Sequence, residues 1–82
     1  MNTLNELQLR EIVKKSISEV LEIKEEVDNE DNFFTVGGDS LTALDVIDKI
    51  NDKTGKKIPL RDFLAEPTPE ALAILLNKMT GP

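Results

Sequence analysis

Apolar residues in this chain recur at three- and four-residue intervals, and nowhere do they alternate over a useful length in the manner of a strand. That rhythm most constrains the fold, because it commits the chain to helices joined by loops. The first stripe comprises Leu9, Ile12, Val13, Ile17, Val20 and Leu21, with Arg10, Glu11, Lys14 and Glu19 turned away or flanking it. Ser16 lies within the stripe, where a small side chain permits close approach. Leu4 and Leu7 fall off it, so an irregular first turn is expected. Thr3 followed by Glu6 reads as a capping box at the helix start.

With 82 residues and no cysteine, the chain must hold together by helix packing alone, without disulfide or thiolate metal site. The 39 % of hydrophobic residues is enough for one modest core, so residues 1–82 are read as a single domain. A long acidic connection runs from Glu22 to Asp39, and connections of that length need apolar anchors or a function. Phe33, Phe34 and Val36 are the expected anchors. A second helix is predicted from about Ser40 to Lys53, with Asp39 at its N-cap and Gly55 near its stop. Leu60, Phe63 and Leu64 share one face of a short turn ending before Pro67. Thr68 and Pro69 open a last helix as capping hydroxyl and first-turn proline, and Leu72, Leu75, Leu76 and Met79 supply its core stripe. The expected fold is all-α: a four-helix bundle of three longer helices and one short one.

Charge and composition narrow the function. A net charge of -6 disfavours nucleic acid and anionic membrane as partners and favours proteins with basic patches. No run of apolar residues is long enough to span a bilayer, and the amino terminus lacks the pattern of a secretory signal, so a cytoplasmic location is expected. The absence of histidine removes the usual general base near neutral pH and the commonest metal ligand, so no enzymatic activity is expected.

The second helix has two faces when projected at about 100° per residue. Ala43, Val46, Ile47, Ile50 and Thr54 gather on the side assigned to the core. Leu41, Leu44, Asp45, Asp48 and Asp52 occupy the other, where leucines ringed by acids read as a docking surface with an apolar centre and a charged rim. Ile58 is assigned to that same docking surface. Isolated exposed leucines are also ordinary, so the pattern alone leaves docking and plain solvation level. Ser40 heads this face, in the first turn after a diglycine and near the positive end of the helix dipole. A phosphate there would gain roughly 0.3–1 kcal/mol. Serine is nonetheless common at helix starts whatever its role.

The segment Asn32-Phe33-Phe34-Thr35-Val36-Gly37-Gly38-Asp39-Ser40-Leu41 closely resembles the attachment segment of phosphopantetheine carrier domains, the acyl and peptidyl carrier proteins. The resemblance extends through Ile58-Pro59-Leu60, Phe63-Leu64 and Pro67-Thr68, and so covers nearly the whole chain. It implies an acyl-carrier-protein-like bundle in which Ser40 bears 4'-phosphopantetheine derived from coenzyme A, with Asp39 and Gly38 in the cofactor-binding segment. It further implies a carrier shuttling thioester-bound aminoacyl, peptidyl or acyl groups in a nonribosomal peptide or polyketide pathway. The implied partners are a phosphopantetheinyl transferase, an adenylation or acyltransferase loading enzyme, and downstream condensation, ketosynthase or tailoring enzymes. The chain itself is expected to be a free-standing monomer. Gly-Gly-Asp-Ser-Leu looks more like the peptidyl carriers than the fatty-acid type, where the second glycine is commonly alanine, although the aspartates of the second helix keep some acyl-carrier character.

The same residues admit three rival readings. Gly38-Asp39-Ser40-Leu41 spells the motif of the GDSL esterases, but a serine hydrolase needs a base that this histidine-free chain lacks. Asp28, Glu30, Asn32 and Asp39 fall at positions one, three, five and twelve of an EF-hand-like loop, yet Phe33 stands where the turn glycine belongs. A helical adaptor that binds proteins and carries nothing has the same composition and remains the alternative outside the family.

Overall fold

The computed structural model describes residues 4–79. Four helices form among them and no strand: α1 (Glu6–Leu21), α2 (Ser40–Thr54), α3 (Leu60–Ala65) and α4 (Pro69–Lys78). Each longer helix begins where a side chain can satisfy amides that have no partner within the helix. For α1 that residue is Asn5. Its Oδ1 accepts the Gln8 N–H at 2.8 Å, while Gln8 Oε1 accepts the Asn5 N–H at 2.9 Å. The capping box expected from Thr3 and Glu6 is therefore replaced by one from Asn5 and Gln8, two residues later, because the asparagine amide makes the same exchange. Thr3 itself lies outside the described residues. Thr68 caps α4 through the Ala71 N–H, with Pro69 as the first helical residue. At the far end of α2, Gly55 adopts φ 75°, a left-handed conformation that glycine takes without a Cβ penalty.

Packing follows the stripes. Helix α1 lies against both α2 and α4, and α3 leans on α2. Leu9, Val13 and Ile17 of α1 meet Ala43, Val46, Ile47 and Ile50 of α2 and Leu72, Ala73 and Leu76 of α4 in one core. Ser16 is fully buried in this seam and donates its hydroxyl to the Ile12 carbonyl at 2.8 Å, so its polar group stays satisfied. On the solvent side Glu19 ties α1 to α2 through Lys53 at 3.3 Å and Lys49 at 3.5 Å. Those two lysines hold the Glu19 carboxyl below its ordinary range, Lys53 contributing most.

Several apolar residues sit differently from their sequence reading. Leu4 is half-buried and packs against the core despite falling off the stripe, whereas Leu7 is exposed. Of the expected loop anchors, Phe33 is fully buried and Val36 partly so, but Phe34 is exposed. Val27 fills the vacant anchoring role. In α3 only Phe63 is buried, while Leu60 and Leu64 face outward, because six residues turn too little of their surface toward the core. Leu75 and Met79 are partly buried, and Ala73 takes a fully buried place on α4.

The long connection is stitched down by its own backbone. Phe33 N–H donates to the Pro67 carbonyl at 2.8 Å, and Glu70 N–H donates to the Asn29 carbonyl at 3.0 Å. Asp31 accepts the Asp28 N–H at 2.9 Å and Asn32 accepts the Phe34 N–H at 2.8 Å, each closing a local turn. These bonds bring residues 28–38 against the start of α4 and set the approach to α2.

Candidate attachment site and docking face

Ser40 is the first residue of α2 and is exposed to solvent. What fixes its position is the exchange on either side of it. Asp39 Oδ1 accepts the Thr42 N–H at 2.9 Å, and the Asp39 N–H donates to Thr42 Oγ1 at 2.8 Å. The Thr42 hydroxyl also donates to Asp39 Oδ1 at 3.0 Å. This double closure was not read from the sequence, although a hydroxyl three residues after a capping aspartate is a legible signal for it. The Thr42 N–H foremost, then its hydroxyl and the Leu41 N–H, hold the Asp39 carboxyl below its ordinary value. An ionised Asp39 at a helix start also complements the dipole there.

The diglycine before the cap contains two different glycines. Gly37 has φ 119°, a region closed to most side chains, with nothing within 4 Å of where a Cβ would stand. Gly38 lacks that conformation and is instead crowded by the ring of Phe33. Its N–H donates to the Phe33 carbonyl at 3.0 Å, closing the turn that delivers the chain to Asp39.

The two faces of α2 separate as projected. Ala43, Val46, Ile47 and Ile50 are buried, while Thr54 is partly buried and returns its hydroxyl to the Ile50 carbonyl at 2.8 Å. On the outer face Leu41 is 76 % exposed and Leu44 50 %. Asp45, Asp48 and Asp52 are exposed beside them, and among the described residues none of the three takes part in an ion pair. Ile58 does not belong to this face. It is 4 % exposed, with its N–H held by Asn51 Oδ1 at 3.0 Å, so its side chain turns into the core from the loop after α2. Sequence reasoning missed Phe34, Leu60 and Leu64 as outward apolar residues, having made Phe34 a loop anchor and given Leu60 and Leu64 only a face shared with Phe63.

An exposed hydroxyl at the first position of a capped helix suits a covalently attached phosphate group. The sequence of residues 11–76 matches the family described as "Phosphopantetheine attachment site". The chain belongs to that family. It is a carrier domain of the peptidyl type, and phosphopantetheine is its prosthetic group.

Among its relatives, a probable non-canonical nonribosomal peptide synthetase of Salinispora arenicola is 36 % identical over 75 residues, 90 % of this chain and 1 % of that protein. Gramicidin S synthase 2 of Brevibacillus brevis is 36 % identical over 70 residues, 85 % of this chain and 2 % of its own length. The carrier domain thus corresponds to a small segment of each of these proteins. A solution structure of a peptidyl carrier domain of modular peptide synthetases superposes with a TM-score of 0.73 at 29 % identity, covering 83 % of this chain and 88 % of the other. A structure of the phosphopantetheine transferase Sfp with coenzyme A and a peptidyl carrier protein contains a chain that matches at TM-score 0.81 and 25 % identity, covering 96 % of this chain and 95 % of that one. No helix among the described residues is long and apolar enough to cross a membrane.

Proposed function

We propose that Ser40 is the residue to which 4'-phosphopantetheine is joined, and that the outer face of α2 presents the loaded arm to partner enzymes of a nonribosomal peptide or related pathway. The observation that carries this reading is the exposed Ser40 hydroxyl at the first position of α2, held in place by the Asp39–Thr42 exchange on both sides of it. Attachment transfers the phosphopantetheinyl group of coenzyme A to the Ser40 oxygen: a P–O bond forms in place of the hydroxyl proton, the pyrophosphate bond of coenzyme A breaks, and adenosine 3',5'-bisphosphate leaves. When bound, the group supplies the thiol that carries a carboxylic acid as a thioester, chemistry for which this cysteine-free chain has no side chain.

The residues of the chain then have distinct tasks. Asp39 fixes the start of the helix, and Gly38 lets the backbone reach it. Leu41 and Leu44 offer an apolar centre to a docking protein, with Asp45, Asp48 and Asp52 as an acidic rim complementary to basic partners. A transferase must dock here first, then a loading adenylation or acyltransferase enzyme, then condensation, ketosynthase or tailoring enzymes. Serial docking requires release, so a small, partly charged interface is expected here. The tether raises the local concentration of cargo at each docked enzyme without further contacts.

Incubation with coenzyme A and a broad-specificity phosphopantetheinyl transferase, followed by intact mass measurement, tests the assignment. The mass should rise by one phosphopantetheinyl group, and Ser40→Ala should abolish the gain while leaving the helical circular dichroism intact. A gain that persists in Ser40→Ala would place the attachment elsewhere. No gain in the unsubstituted chain would favour the adaptor.

A further inference from the structure

A Cβ at Gly38 would stand 2.3 Å from both Cε2 and Cζ of Phe33 and 2.6 Å from its Cδ2, distances that real Cβ atoms essentially never show. The ring, and not a left-handed backbone, is what demands glycine at this position. Nor can the ring retreat. It is fully buried, and it meets Phe63 of α3 edge-on at 5.3 Å between centroids and Phe34 at 5.2 Å. The Phe33 backbone is pinned as well, its N–H to the Pro67 carbonyl and its carbonyl to the Gly38 N–H. Phe33 therefore ties the residue two positions before Ser40 to α3 and to the approach to α4, which lie far along the chain from it.

We propose that Phe33 is a positioning residue for the modification of Ser40: its ring holds the backbone at Gly38, and thereby sets where the serine oxygen stands when a transferase docks. This rests on Ser40 being the attachment residue. Core packing by itself would produce the same burial, but it would tie loading to stability, whereas positioning separates the two. A displacement of about 1 Å in a reacting atom is enough to slow a transfer severalfold to a hundredfold.

The test uses the full chain with coenzyme A and a broad-specificity phosphopantetheinyl transferase, measuring kcat and KM at a temperature where circular dichroism finds each variant fully folded. Gly38→Ala should lower kcat/KM about tenfold, chiefly through kcat, because the docking face is untouched. In the double variant Phe33→Leu with Gly38→Ala, the smaller side chain vacates space for the methyl group. With both variants fully folded, it should load at least about threefold faster than Gly38→Ala. Loading at the unsubstituted rate in Gly38→Ala, or no recovery in the double variant, would overturn the proposal. Should Gly38→Ala fail to fold, Phe33→Leu alone decides: its kcat should fall while KM holds, and an unchanged kcat would equally overturn it. Absence of loading in the unsubstituted chain, or loading that survives Ser40→Ala, would instead refute the attachment assignment itself.

Discussion

The two faces of α2 carry similar side chains toward opposite ends. Both present aliphatic residues at helical spacing, yet Val46 and Ile50 are fully buried while Leu41 and Leu44 remain at least half exposed. On the inner face each aliphatic group is removed from water by α1 and by residues from the neighbouring loops, and full burial of such a side chain contributes about 1.5–3 kcal/mol. On the outer face nothing within the described chain covers them. Among the described residues, the aspartates at their side also lack the ionic partners that Glu19 finds in Lys49 and Lys53 on another flank of the same helix. Hydrophobicity therefore does not assign a residue to the core. What assigns it is whether another element of the same chain arrives to cover it.

That contrast can be broken at three places. The largest effect is expected from Ile50→Ala, which should cost about 2–5 kcal/mol in denaturant unfolding, because it opens a cavity in the α1–α2 seam. Once the variant is folded, its loading by the transferase should be near that of the unsubstituted chain. Leu41→Ala should do the reverse, with stability changed by no more than about 0.5 kcal/mol. For Leu41→Ala and Leu44→Ala alike, KM for transferase loading should rise about fivefold, the equivalent of about 1 kcal/mol of docking. Comparable stability losses at Ile50 and Leu41 would mean that the faces are wrongly divided.

The smallest effect concerns the polar end of the helix. Because the Thr42 donors depress the Asp39 carboxyl in the folded state, its stabilising contribution is present above the ordinary carboxylate range and is lost as pH falls through the lower, folded-state value. Asp39→Asn keeps the cap but does not titrate. The stability advantage of the unsubstituted chain over this variant should therefore shrink between neutral pH and about pH 2. Thermal unfolding across that interval checks it, and an advantage that does not vary with pH would remove Thr42 as the cause.

Much of this was legible from the residues. Both ends of α2 follow from Asp39 and Gly55, the start of α4 follows from Thr68 and Pro69, and the buried side of α2 follows from its period. The exposure of Ser40 and of Leu41 and Leu44 came with that assignment. Illegible were the residues outside a regular period. Ile58, assigned to the docking surface, is buried; Phe34, expected as an anchor, faces out; and Leu60 and Leu64, given one face with Phe63, do not share its burial. Loops and a six-residue helix carry too few positions for periodicity to reveal direction. The cap of α1 is Asn5 and not Thr3 because asparagine is the stronger N-cap and Gln8 completes the exchange with it.

By itself the sequence determined that the chain is helical, where its second and fourth helices begin, and which hydroxyl stands at the head of the second one. Those features depend on caps and spacings contained within a turn or two of chain. Only the tertiary structure decided that Val27 and Ile58 are covered, that Phe34 is not, and that position 38 must lack a side chain because the ring of Phe33 lies against it. Covering and crowding depend on which elements meet in space, and contacts between residues distant along the chain leave no local pattern to read.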